Sequence, residues 1–160
     1  MTLSIPTVLN DRFSGRKLTR RLGVGKVKQT LLEETYPVFQ LDIKGPECRF
    51  NSVDEIVAHI RQQIETHRSA RFIAVFDHFA HTTALPEGQI AEEITAAVNI
   101  VFCFGLTLQD PMQLAVRPRS IGVCETDGHF SITFMEAPMP VANAAMEEWA
   151  RSLISNRAAA

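Results

Sequence analysis

No run of apolar residues in this chain approaches the roughly 18 that a membrane-spanning helix needs. The longest, Val98–Phe104, has the length of a strand. Cysteine is scarce as well. Cys48, Cys103 and Cys124 cannot all pair within one chain, which points to free thiols in a reducing cytoplasm. The basic N-terminus is not followed by an apolar stretch, so no secretory signal is expected. A glycine-rich phosphate loop is also missing, because the GVGK segment at Gly23–Lys26 is too short and follows no strand. There is no nucleophile elbow, no internal repeat and no low-complexity tract beyond the terminal alanines. These absences argue against an integral membrane protein, a P-loop nucleotide hydrolase and an α/β-hydrolase.

What is present suits one folded domain. The 160 residues are 46% hydrophobic and 21% charged, ordinary values for a globular chain, and a domain of this size buries about two thirds of its unfolded surface. The net charge of −2 conceals an asymmetry. Residues 1–28 hold seven basic side chains and one acid, so they carry +6 and the remainder −8.

Residues 1–23 have no sustained period and read as an irregular basic arm. A short helix is expected over Lys26–Glu34, with Val27, Leu31 and Leu32 on one side, ended by Tyr36-Pro37. Residues 1–35 thus form an arm with a short helix, and 36–157 the domain proper. Val38–Lys44 alternates apolar and polar, the period of a half-buried strand. Ser52–His67 reads as a helix opened by Ser52 and Glu55 at capping-box spacing, with Val53, Ile56, Val57, Ile60 and Ile64 as its apolar stripe. Phe72–Phe79 and Asn99–Phe104 read as strands, separated by a loop over 82–97 with one helical turn near Gln89–Ile94. A short helix is expected near Met112–Val116.

Asp127-Gly128 is a favoured hairpin turn, because both positions take positive φ. Pairing outward sets Glu125 opposite Phe130, Cys124 opposite Ser131, Val123 opposite Ile132, Gly122 opposite Thr133 and Ile121 opposite Phe134. That register sorts apolar from polar, and a one-residue slip would destroy it. Met139-Pro140 opens a final helix with Ala142, Met146, Trp149 and Leu153 as its buried stripe. The fold expected is α+β, in the order β-α-β-β-β-β-α: an antiparallel sheet with both helices on one face, the other face left open.

Phe76-Asp77-His78 after a helix, NIVFCFG at Asn99–Gly105, DPMQLAV at Asp110–Val116 and the final SIGVCETDGHFSITFMEAP hairpin together resemble the DUF302 family over roughly residues 50–140. The resemblance implies a TATA-binding-protein-like fold, directs attention to Asp77 and His78, and brings no known activity. Where that family has Asn-Pro after the glycine, this chain has Leu106-Thr107, and its N-terminal extension is additional.

Three groups of residues are candidates for chemistry. Asp77, His78 and His81 form an acid/base cluster in one dimension. On an extended strand Asp77 and His81 would sit roughly 13 Å apart with His78 facing away, so no metal site is expected unless the chain turns directly after Asp77. Structurally, Asp77 would cap a loop. Cys124 and Cys103 fall on the open face by register, where they serve either as reactive thiols or as small hydrophobes. Arg117 and Arg119 bracket Pro118 and are suited to hold a carboxylate, sulfate or phosphate, or else are a solvated pair.

The reading these residues support is a cytoplasmic, non-enzymatic module that binds a small, anionic ligand on the open face or in a dimer cleft. Cys103, Thr133 and His81 would contribute, with Arg117 or Arg119 at the edge. The rival reading is an enzyme using Cys124 or the Asp77-His78 pair, in sulfur chemistry for example. A third reading has the basic arm touch nucleic acid, although the arm lacks interleaved aromatics and the fold alone carries no function. No cofactor is expected, and a homodimer is expected to cover the open face.

Overall fold

In the computed structural model, residues 26–155 are described, and the arm over 1–23 lies outside them. Six strands form one antiparallel sheet: β1 (Lys28–Leu32), β2 (Tyr36–Lys44), β3 (Ala70–Asp77), β4 (Ile94–Phe104), β5 (Arg119–Thr126) and β6 (His129–Met135), in the spatial order β1-β2-β6-β5-β4-β3. Three helices accompany them: α1 (Val53–Thr66), α2 (His78–Ala84) and α3 (Pro140–Arg151). The α+β class and the open antiparallel sheet agree with the sequence pattern.

The β5–β6 hairpin sits in the predicted register from Gly122↔Thr133 to Thr126↔His129. Asp127 (φ 36°) and Gly128 (φ 77°) supply the turn. The register places Ile121, Val123, Phe130, Ile132 and Phe134 on one face, where α1 and α3 cover them. Ile100, Phe102, Ile121 and Ile132 are completely buried there, each worth about 1.5–3 kcal/mol of hydrophobic stabilisation. Trp149 of α3 packs edge-on to Phe102, with ring centroids 5.5 Å apart. The α1 stripe of Val53, Ile56, Ile60 and Ile64 is buried against the same face, as its spacing requires. Ser52 Oγ accepts from Glu55 N–H, while the Glu55 carboxylate accepts from Asn51 N–H rather than from Ser52.

Three local expectations are corrected. The helix expected over Lys26–Glu34 is instead β1, which pairs along β2 from Lys28↔Gln40 to Leu32↔Tyr36. Glu33 and Glu34 both adopt positive φ, and Thr35 N–H donates to Leu32 C=O at 3.1 Å, closing a tight hairpin. Pairing to an available sheet edge outweighs the weak helical spacing of Val27, Leu31 and Leu32, so the sheet takes in residues assigned to the arm. Second, β3 ends at Asp77 rather than Phe79. The Asp77 carboxylate accepts from Ala80 N–H at 2.8 Å and starts α2 within the segment read as strand and loop. Third, no helical turn forms over Gln89–Ile94: a tight turn at 92–93 is closed by Ile94 N–H donating to Ala91 C=O at 3.0 Å, and β4 begins at Ile94 rather than at Asn99. A short 3-10 turn at Pro111–Val116 fits the expectation for that connection, with the Asp110 carboxylate accepting from Met112 N–H.

The second face carries Val38, Gln40, Asp42, Met135, Thr133, Ser131, Cys124 and Val101 by register. It is semi-polar: Ser131 donates to the Asp42 carboxylate, and Gln40 Nε2 donates to the same group.

Candidate functional site

The fold separates the predicted site residues into three places. Asp77, His78 and His81 lie where β3 passes into α2. The chain does turn directly after Asp77, yet the Asp77 carboxylate is engaged as the cap of α2. His78 and His81 rest against the Phe76 ring, at centroid distances of 4.6 and 5.2 Å. Among the described residues no group of three or more His, Cys, Asp or Glu side chains could hold a metal ion.

Cys103, Cys124 and Thr133 lie on the open face, all half-buried. Cys124 falls opposite Ala97 of β4. Cys103 is six residues further along that strand, a separation of roughly 20 Å at the strand rise. The two thiols lie on neighbouring strands but too far apart to form a pair. Burial raises the Cys124 thiol above its ordinary range, and the Glu125 and Glu93 carboxylates push the same way. A catalytic thiolate needs the opposite shift.

Arg117 and Arg119 lie elsewhere, and here the expectation of an open-face edge is corrected. Arg119 pairs with Phe102 in the β4–β5 ladder, so it shares the helix-covered face with Ile121 and Val123. Both arginines line a cavity of about 220 Å³ there. The end of β4 (Phe104), the 3-10 turn (Gln113, Val116), the 137–139 segment and Ala142 of α3 complete its walls. Met139 is the N-cap of α3, so the positive end of that helix dipole borders the same space.

Each guanidinium is held by one backbone carbonyl. Arg117 Nη1 donates to Thr107 C=O at 2.7 Å, and Arg119 Nη2 donates to Met135 C=O. Gly105 makes room for the first of these. Its φ is +129°, and a Cβ there would lie 2.5 Å from Arg117 Nη2. Among the described residues the remaining N–H donors of both fork-shaped groups have no hydrogen-bond partner. The ion pairs of the described residues are Arg61–Glu65 and Arg151–Glu147, so neither cavity arginine has a carboxylate partner. Burial lowers the Arg119 pKa, and a guanidinium still stays charged at neutral pH.

Gln113 belongs to the same wall and was not singled out in the sequence. Its Oε1 is buried without a hydrogen-bond partner, the one such side-chain atom among the described residues. Next in sequence to Gly105 and Gln113, Leu106 and Met112 are open to solvent, at 77% and 79% exposure.

These features define a small α+β domain with a cationic, largely apolar cavity on the helix-covered side of its sheet. The chain belongs to DUF6858, a family of unknown function, and matches it over residues 27–155. No curated protein and no solved structure matches it.

The raised Cys124 thiol generates a direct prediction. Because its thiolate appears only above the ordinary pH range, a thiol reagent at mildly alkaline pH should label Cys124 several-fold more slowly than it labels the unfolded chain. Peptide-resolved labelling checks this, and labelling at neutral pH faster than in the unfolded chain would contradict it.

Proposed function

We propose that this protein is a non-enzymatic binding module for a small organic anion, held in the Arg117/Arg119 cavity rather than on the open sheet face. The observation that carries the reading is two cationic groups on a mostly apolar wall with no carboxylate partner among the described residues. Both side chains are half-buried, and even partial desolvation of a cation without a counter-charge is unfavourable, which favours an anion entering the cavity. Arginine suits this role because its planar fork matches a carboxylate with two parallel hydrogen bonds. The mostly apolar walls favour a ligand with a hydrocarbon body. A volume of about 220 Å³ equals about seven waters at their liquid share, which limits the enclosed part to a few carbons beyond the acid group.

The enzyme reading has less support. Cys124 has its thiol shifted away from reactivity, and the Asp77 carboxylate is committed to a helix cap. A role of the basic arm with nucleic acid concerns residues outside those described.

Hexanoate is a suitable probe. Calorimetric titration of the full chain should detect hexanoate binding and none of hexanamide, its neutral isostere. Arg119→Met should weaken hexanoate by at least about tenfold, the equivalent of one charge-assisted hydrogen bond. Equal binding of acid and amide, or an unchanged Arg119→Met, would overturn the reading.

The open face favours a second, compatible property. Met135 (47% exposed) and Tyr36 (49% exposed) sit there beside half-buried Val38 and Val101, and covering such a face by a second copy would bury on the order of 1,200 Å². Homodimerisation through it predicts that Thr133→Arg lowers the sedimentation coefficient at high concentration while leaving the circular dichroism unchanged. A wild type that sediments as a monomer under the same conditions would exclude the dimer.

A further inference from the structure

We infer that two copies of this chain join edge to edge through β1, antiparallel about a two-fold axis, so that their sheets run on as one. The inference stands apart from the anion-binding reading and uses a different surface from the open face. β1 is the outermost strand, and no described segment pairs with its outer side. All five of its residues are exposed, Leu31 at 61% and Leu32 at 59%. Neighbours along a strand point to opposite faces, so this edge offers apolar surface both above and below its backbone.

An unpaired strand edge is a template for another strand, and folded proteins usually blunt it. The two edges of this sheet differ in that respect. At β3 the pairing with β4 shifts between Phe72 and Ala74, a bulge that bends the strand away from a straight partner. β1 has no such device. Its register on β2 runs unbroken from Lys28 to Leu32, it contains no proline, and its one charged residue, Lys28, lies at its end.

The charges select the partner and its direction. The chain enters the strand through Lys26 and Lys28 and leaves it through Glu33 and Glu34, with Gln29–Leu32 uncharged between them. The ion pairs of the described residues are Arg61–Glu65 and Arg151–Glu147, so none of these four groups has an ion-pair partner there. A parallel copy would set like charges side by side. An antiparallel copy sets the basic end of each strand against the acidic turn of the other. With Leu31 on the two-fold axis, Leu31 meets its mate, Thr30 meets Leu32 of the second copy, and Lys28 reaches Glu34 of the second copy. Symmetry repeats each contact and closes the assembly at two.

Sedimentation of the full chain at low ionic strength tests this, in wild type and in Thr133→Arg, whose open face is blocked. One strand pair buries less than the roughly 1,200 Å² of a stable interface, so Thr133→Arg should still form a weak dimer, at concentrations on the order of 100 μM. In that background Lys28→Glu should weaken the dimer about fivefold or more, and Glu33→Lys with Glu34→Lys should do the same, because two symmetric contacts turn repulsive at once. Combining all three reversals restores opposite charges across the axis and should return the dimer to within about twofold of its starting strength. The positions are exposed, so circular dichroism should stay unchanged. Some amides of Lys28–Leu32 should gain protection from hydrogen exchange as concentration rises. If wild type dimerises but Thr133→Arg is monomeric, the edge contact is overturned and the open-face contact stands. A dimer indifferent to the charge reversals, or not restored by their combination, overturns it as well. So does β1 protection that does not change with concentration, which would mean that the edge is covered within one chain.

Discussion

The turn at Asp127–Gly128 sets the register of β5 on β6, and the division of the molecule into two faces follows from it. Side chains alternate along a strand, so one register choice assigns Ile121 and Val123 to the core and Gly122 and Cys124 to the opposite surface. β4 inherits the same division through Ile100↔Ile121 and Val98↔Val123, and β2 inherits it through Leu41↔Ile132. The apolar stripes of α1 and α3 then have one place to go. Carried two residues back from Ile121, the same parity puts Arg119, half-buried, on the helix-covered face and not on the open surface. A charged residue on the core side of a sheet is tolerated only near its end, where a cavity and a carbonyl are within reach, and Arg119 has both.

Much of this architecture is legible in the residues. The hairpin, the α1 stripe with its Ser52 cap and the buried set of α3 all follow from local period and turn chemistry. The order β-α-β-β-β-β-α is preserved once β1 and α2 are added. Those two elements escaped for different reasons. β1 is exposed along its whole length, so no alternation of burial marks its sequence, and only pairing with Tyr36–Gln40 makes it a strand. At α2, the apolar run through Phe79 hid a helix start that Asp77 alone signals.

The site was less legible, and its parts show why. The face of Arg119 was available from the hairpin parity with Ile121 and Val123. Arg117 and Arg119 read as an anion clamp or a solvated pair, and the cavity they line joins segments around Phe104, Gln113 and Ala142, which lie far apart in the chain. No local pattern marks Gln113, whose Oε1 is buried without a partner only in the assembled fold. Asp77 takes the capping role its sequence position offered, at the start of α2, and Cys103 and Cys124 share the open face at well-separated points. Gly105 gains a specific reason for being glycine: its positive φ and bare Cα let the Arg117 guanidinium lie against the backbone.

The account's central claim is that two guanidinium groups, each tied to one carbonyl, hold their remaining donors ready for an anion. Side-chain NMR of the arginine Nε–H groups tests it most directly. On addition of hexanoate, the Arg117 and Arg119 signals should shift together along one saturable curve. Arg61 and Arg151, already engaged by Glu65 and Glu147, should not move. Uniform small shifts of every arginine, or movement at Arg61 and Arg151 with Arg117 and Arg119 unchanged, would contradict the claim.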